Sequence, residues 1–144
     1  VTRRFGWAKP VPVNDLNFKN RKKGMLLVSL AGPLSNFFLA LIIAVLYRII
    51  YYNANTIVLG MLQAAYIINL GLGVFNLLPI PPLDGSKILD AFLTSRQRYA
   101  LMRYSAYSNI IIILLVFTGI ISKIIGPVII FVDFIINRII GLFI

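Results

Sequence analysis

Apolar residues in this chain come in long runs, separated by short stretches where charge, proline and asparagine collect. Residues 25–52 form the first run, longer than the roughly 20 residues a helix needs to cross a bilayer. A polar turn at 53–56 leads into a second run at 57–78. Residues 79–104 return to polar, basic character. Within them Gly85–Thr94 patterns as a short amphipathic helix with Ile88, Leu89, Phe92 and Leu93 on one side. Residues 105–125 make a third run. Gly126-Pro127 reads as a break, and residues 128–144 as a short fourth span interrupted by Asp133, Asn137 and Arg138. Residues 1–24 are irregular, because each proline of Lys9-Pro10-Val11-Pro12-Val13 pushes its predecessor into extended geometry. The pattern predicts an all-α integral membrane protein. It has three to four transmembrane helices (residues 25–144) behind a short extended N-terminal loop (residues 1–24).

Small and polar residues form stripes within the first two runs. Ser29, Gly32, Asn36, Ala40 and Ala44 recur at helical spacing, and Ala65, Asn69, Gly73 and Asn76 do the same in the second run. Such faces let membrane helices approach closely. A short connection makes the two helices antiparallel neighbours, so the stripes are expected to pack together with Asn36 and Asn76 near one end. Leu41 is expected on the lipid-facing side.

Composition supports the membrane class. The chain is 60% hydrophobic, against roughly 45–50% for globular domains, too much for a core of its own to hide. Net charge is +10, with four acidic residues: Asp15, Asp84, Asp90 and Asp133. The bases flank the spans rather than forming a separate surface, so topology explains them and nucleic acid does not. Seven of 14 Lys and Arg fall in residues 1–25 and four in 79–104. The positive-inside bias places both segments in the cytoplasm of a multi-pass cell-membrane protein. Histidine, glutamate and cysteine are absent.

The candidate chemistry centres on Asn76-Leu77-Leu78-Pro79-Ile80-Pro81-Pro82-Leu83-Asp84. The prolines stop the second run, and Asp84 arrives at the edge of the apolar phase. A carboxylate there is a functional candidate or the N-cap of the next helix. Asn36 and Asn76 are either interhelical glue or catalytic groups. Asp90 is expected on a solvated face.

Two motifs, A-G-P-L-S-N at Ala31–Asn36 and N-L-L-P-I-P-P-L-D-G at Asn76–Gly85, together resemble the site-2 protease family of intramembrane zinc metalloproteases. F-G-W-A-K-P-V-P-V-N at Phe5–Asn14 is similar to the loop preceding the first motif in short prokaryotic members. The resemblance implies that Asp84 is a zinc ligand and that Asn36, and less directly Asn76, position the substrate or the reacting oxygen. It further implies that Pro10, Val11, Pro12 and Val13 hold an unwound transmembrane substrate by strand addition. In the family, an H-E-x-x-H helix supplies two more ligands and the general base. This chain contains neither residue type and opens on Val1, so it is expected to be the C-terminal portion of a protease, unable to hold zinc or hydrolyse a peptide alone. The alternative is a non-catalytic membrane scaffold or binding homologue lacking the zinc helix. A small transporter or channel subunit fits less well, since the intramembrane ionisable residues line no continuous face. The implied partners are a transmembrane protein substrate and the lipid bilayer.

Overall fold

A computed structural model describes residues 21–105 and 107–143, and among them the secondary structure is helical, with no strand. The helices are α1 (Arg21–Ile50), α2 (Thr56–Asn76), α3 (Asp84–Asp90), α4 (Ser95–Ser105), α5 (Ser108–Phe117) and α6 (Ile120–Phe143). Residues 1–20, and with them the expected extended loop, lie outside the described residues. Arg21–Gly24 belong to α1, so the boundary expected at 24/25 moves toward the N-terminus. Continuing the helix satisfies backbone groups that a loop at the membrane edge would leave to water.

Three helices are individually long and apolar enough to cross a membrane: α1, α2 and α6. The pair α4 and α5 meets the same test only jointly, across a 68° bend. The count of three to four is as expected, but the later boundaries are not. Gly126-Pro127 does not break the chain; Pro127 lies inside α6. The break falls at Thr118-Gly119, where Gly119 adopts φ 71°, a left-handed conformation that glycine enters without steric cost. The Gly119 N–H donates to the Val116 carbonyl (3.1 Å). The Thr118 hydroxyl donates to the Leu114 carbonyl (2.9 Å). Carbonyls at the end of α5 are thereby satisfied, as in other glycine-terminated helices.

The core is built by α1, α2 and α6. Asn55 caps α2, its Oδ1 accepting from the Ile57 N–H at 2.7 Å. The turn at 51–55 folds α2 back along α1. Ala40, Leu70, Ile136 and Ile140 form one buried cluster, and Val74, Ile121 and Ile125 a second. Phe37 packs against both. Leu41, expected to face lipid, instead packs on the first cluster; Phe38, 65% exposed, faces outward. A polar contact joins α2 to α6, where the Tyr66 hydroxyl donates to Asp133 Oδ1 at 2.6 Å.

Candidate functional site

The site forms where the end of α2, the proline-rich turn and the start of α3 meet the first half of α1. Helix α2 ends at Asn76, and the Leu77 N–H bonds back to the Val74 carbonyl (3.1 Å). Two residues after Leu77, Pro79 cannot donate, and Pro81 and Pro82 add no N–H either. The Pro81–Pro82 peptide is cis. The Leu83 N–H closes the turn on the Ile80 carbonyl (3.0 Å), and α3 starts at Asp84.

Gly85 sets how close α3 comes to α2. A Cβ at this buried position would run into the backbone carbonyls of Leu77 and Leu78. Backbone cannot step aside as a side-chain tip can, so the L-D-G stretch needs a residue without a side chain here. Ser86, also buried, directs its hydroxyl to the Leu83 carbonyl (2.7 Å) and leaves no orphan donor.

Asp84 does not cap α3. Leu83 occupies the N-cap position and makes no side-chain cap bond, while Asp84 is the first helical residue. One position inside the helix, its carboxylate is turned toward α1 and still benefits from the positive end of the helix dipole. Its Oδ2 lies 2.7 Å from where a Cβ on Gly32 would stand. Gly32 is the glycine of the A-G-P-L-S-N stretch, so the two motifs meet in space at the carboxylate. Gly32 therefore faces α3 rather than the α1–α2 seam in which it was expected. Gly73 does sit in that seam, where a Cβ would meet the Phe37 ring.

The other oxygen, Asp84 Oδ1, accepts from Lys87 Nζ at 2.8 Å. The side chains of Lys87 and Asp84 are 47% and 28% exposed. Ion pairs this exposed are worth about 0.2–1 kcal/mol. The carboxylate is thus charge-balanced by an ammonium that another cation could displace at small cost.

The backbone of α1 is loosened beside this carboxylate. Pro33 removes the N–H that would bond the Ser29 carbonyl, and the fully buried Ser29 Oγ has no hydrogen-bond partner among the described residues. The Ser35 hydroxyl donates to the Gly32 carbonyl (2.7 Å).

Asn36 lies one turn beyond Gly32, and Asn76 is the last residue of α2. The contact of Gly73 with Phe37 puts both at the same end of the bundle. Both are half-buried, and among the described residues neither amide makes a hydrogen bond. The interhelical bond expected of glue asparagines is therefore not made. Asn69 behaves differently, donating locally to the Ala65 carbonyl (2.8 Å). The side chain of Asp90 is solvent-exposed as expected, and Arg98 Nε donates to its Oδ1 (2.7 Å), joining α3 to α4. Pro10, Val11, Pro12 and Val13 lie outside the described residues.

Sequence reasoning missed Lys87, the room made by Gly32 and the Tyr66–Asp133 contact. The first was readable as a Lys three residues after an acid on one helix. The other two depend on how helices are rotated against each other, which no local pattern carries. Among the described residues no group of three His, Cys, Asp or Glu could hold a metal ion.

Comparison with known proteins agrees with the two motifs. The model of Peptidase family M50 matches residues 48–119, half of the chain. "Putative zinc metalloprotease YwhC" of Bacillus subtilis is 35% identical over 130 residues, covering 85% of this chain and 59% of that protein. "Zinc metalloprotease MJ0392" of Methanocaldococcus jannaschii is 36% identical over 78 residues, covering 54% of this chain and 22% of that protein. The chain thus spans less than two thirds of either relative's length. No solved structure matches it. A multi-pass helical chain, an aspartate presented at the A-G-P motif and the family match over the L-D-G segment lead to one conclusion: the protein belongs to Peptidase family M50, the site-2 proteases.

Proposed function

We propose that this chain contributes the Asp84 side of the active site of an intramembrane zinc metalloprotease, which hydrolyses peptide bonds within transmembrane segments of other proteins. The observation that carries this reading is the carboxylate of Asp84 at the edge of the apolar phase, one oxygen against Gly32 and the other on a displaceable Lys87. The two histidine ligands and the glutamate base that the family resemblance calls for are not among these residues and would have to come from an H-E-x-x-H helix elsewhere. A zinc held by those groups and Asp84 would supply the chemistry of a bound water of lowered pKa.

The residues of this chain do the rest. Asp84 brings an anionic ligand to a fixed depth, because Gly85 seats α3 against the end of α2. Asn36 and Asn76, half-buried and without hydrogen-bond partners among the described residues, are suited to a substrate backbone opened for cleavage. The Pro10-Val11-Pro12-Val13 stretch, by its resemblance to the family's substrate-holding loop, is assigned to the same unwound segment. The site opens toward the cytoplasmic face of the cell membrane, the side to which the Lys and Arg of residues 1–25 and 79–104 are drawn.

The test is Asp84→Asn in the full-length protein, reconstituted with a transmembrane substrate. Asparagine keeps the size and loses the charge, so helicity and expression stay near wild type while bound zinc and cleavage collapse. Asp90→Asn, which breaks only the contact to Arg98, keeps both. Normal zinc and cleavage in Asp84→Asn would overturn the ligand role. The scaffold alternative is met by the wild type alone, since a scaffold shows no cleavage at any zinc concentration.

A further inference from the structure

A second polar site lies at the other end of the bundle, and the geometry points to a phospholipid phosphate as its occupant. The end of α1, the first half of α2 and the last turns of α6 enclose a cavity of about 440 Å³. Tyr47, Arg48, Tyr51, Gln63, Tyr66 and Asn137 line it. Arg48 stands 16 residues beyond Gly32, about 24 Å further along the helix axis, so this cavity is separate from the Asp84 site.

Among the described residues, those lining the cavity include donors and no acid. Among the described residues Arg48 has no ion-pair or hydrogen-bond partner, and neither do the Tyr47 hydroxyl and the Gln63 amide. The Tyr66 hydroxyl is held by Asp133, and Asn137 donates to the Asp133 carbonyl (3.0 Å). The first bond ties α2 to α6 and the second stays within α6, so Tyr66 and Asn137 are occupied while Arg48 and Tyr47 remain in the lining without partners among the described residues. The Tyr47 and Tyr51 rings stack at 5.7 Å, tilted by 49°, and form a firm apolar rim. A planar guanidinium with a neighbouring hydroxyl matches a phosphodiester.

The depth decides between a lipid and a soluble anion. Helix α1 has 30 residues, about 45 Å at 1.5 Å per residue, the thickness of a bilayer with its headgroups. Arg48 and the tyrosines near its end therefore sit at headgroup level, in the leaflet opposite Asp84. There the bilayer itself presents phosphodiesters, with acyl chains to lie along the exposed apolar face. Tyrosines acting only as an interfacial belt would retain no particular lipid, and that difference can be measured.

The experiment is native mass spectrometry of the full-length protein, delipidated in a phosphate-free detergent and titrated with phosphatidylglycerol. The wild type is expected to retain one lipid per molecule. Arg48→Gln is expected to weaken retention about tenfold or more, as befits a lost charge-assisted contact. Tyr47→Phe, which removes one hydroxyl and keeps the ring, weakens it less. Lys123→Gln removes a cation from the other end of α6 and leaves retention at the wild-type level. Millimolar glycerol 3-phosphate does not displace the lipid. Unchanged retention in Arg48→Gln, an equal loss in Lys123→Gln, or displacement by glycerol 3-phosphate would each overturn the proposal. Because the readout is lipid and not cleavage, it stands or falls independently of the proteolytic role.

Discussion

At the scale of single residues, two glycines govern one carboxylate, and they do so differently. A Cβ at Gly85 meets backbone carbonyls, whereas a Cβ at Gly32 meets the tip of the Asp84 side chain. Gly85→Ala must therefore push α3 away from the end of α2. It is expected to cost about 1–3 kcal/mol, the usual scale of overpacking, read as a lower unfolding midpoint in detergent. Gly32→Ala only requires Asp84 to rotate. It is expected to leave the unfolding midpoint within the scatter of surface changes while lowering zinc retained by the full-length protein. Wild-type zinc in Gly32→Ala would show that Gly32 makes no room for the carboxylate. The sequence marks Asp84 but not its role, because an acid before glycine reads equally as a cap or a ligand. One residue of register separates the two, and a boundary defined by three prolines and a leucine is not readable to one residue.

At the scale of elements, the first two spans were legible and the later ones were mis-divided for a physical reason. Proline marks a break in water, but inside a membrane helix neighbouring groups re-satisfy the freed carbonyl. Pro33 and Pro127 both lie within helices, so Gly126-Pro127 carried no boundary. The usable signal was Thr118-Gly119, glycine directly after an apolar run. Periodicity also placed Gly73 in the α1–α2 seam and could not place Leu41, since it gives a helix its stripe but not the width its partners cover. Gly73→Leu is expected to overfill the space held by the Phe37 ring and destabilise the bundle by about 1–3 kcal/mol. Phe38→Leu, on the exposed side, is expected to be near neutral. Equal effects would break the proposed seam. Tyr66→Phe tests the α2–α6 contact: it leaves Asp133 without its donor and is expected to cost about 0.6–1.7 kcal/mol, the range of intramembrane hydrogen bonds. An unchanged unfolding midpoint would show that Asp133 finds water or another partner instead.

At the scale of the whole molecule, charge and topology constrain each other. Composition was enough to identify a membrane chain, because 60% hydrophobic residues cannot be buried by 144 positions. What composition could not give is which basic segments share an end, and there the fold adds something. Lys22 and Arg98 line one cavity between α1, α3 and α4, while Asn55 caps α2 at the far end of α1. The basic flank before the first span and the basic α4 therefore lie on the same side, as an even number of crossings between them requires. The absence of cysteine makes this testable without background. Single cysteines at Lys22 and Arg98 are expected to be shielded from an impermeant thiol reagent in intact cells and to react after permeabilisation. A cysteine at Asn55 is expected to react in both conditions. Shielding at Asn55 with labelling at the other two would invert the orientation and leave the fold intact. Different responses at Lys22 and Arg98 would be more serious, because one bundle cannot hold them at one end and expose them on opposite sides of the membrane.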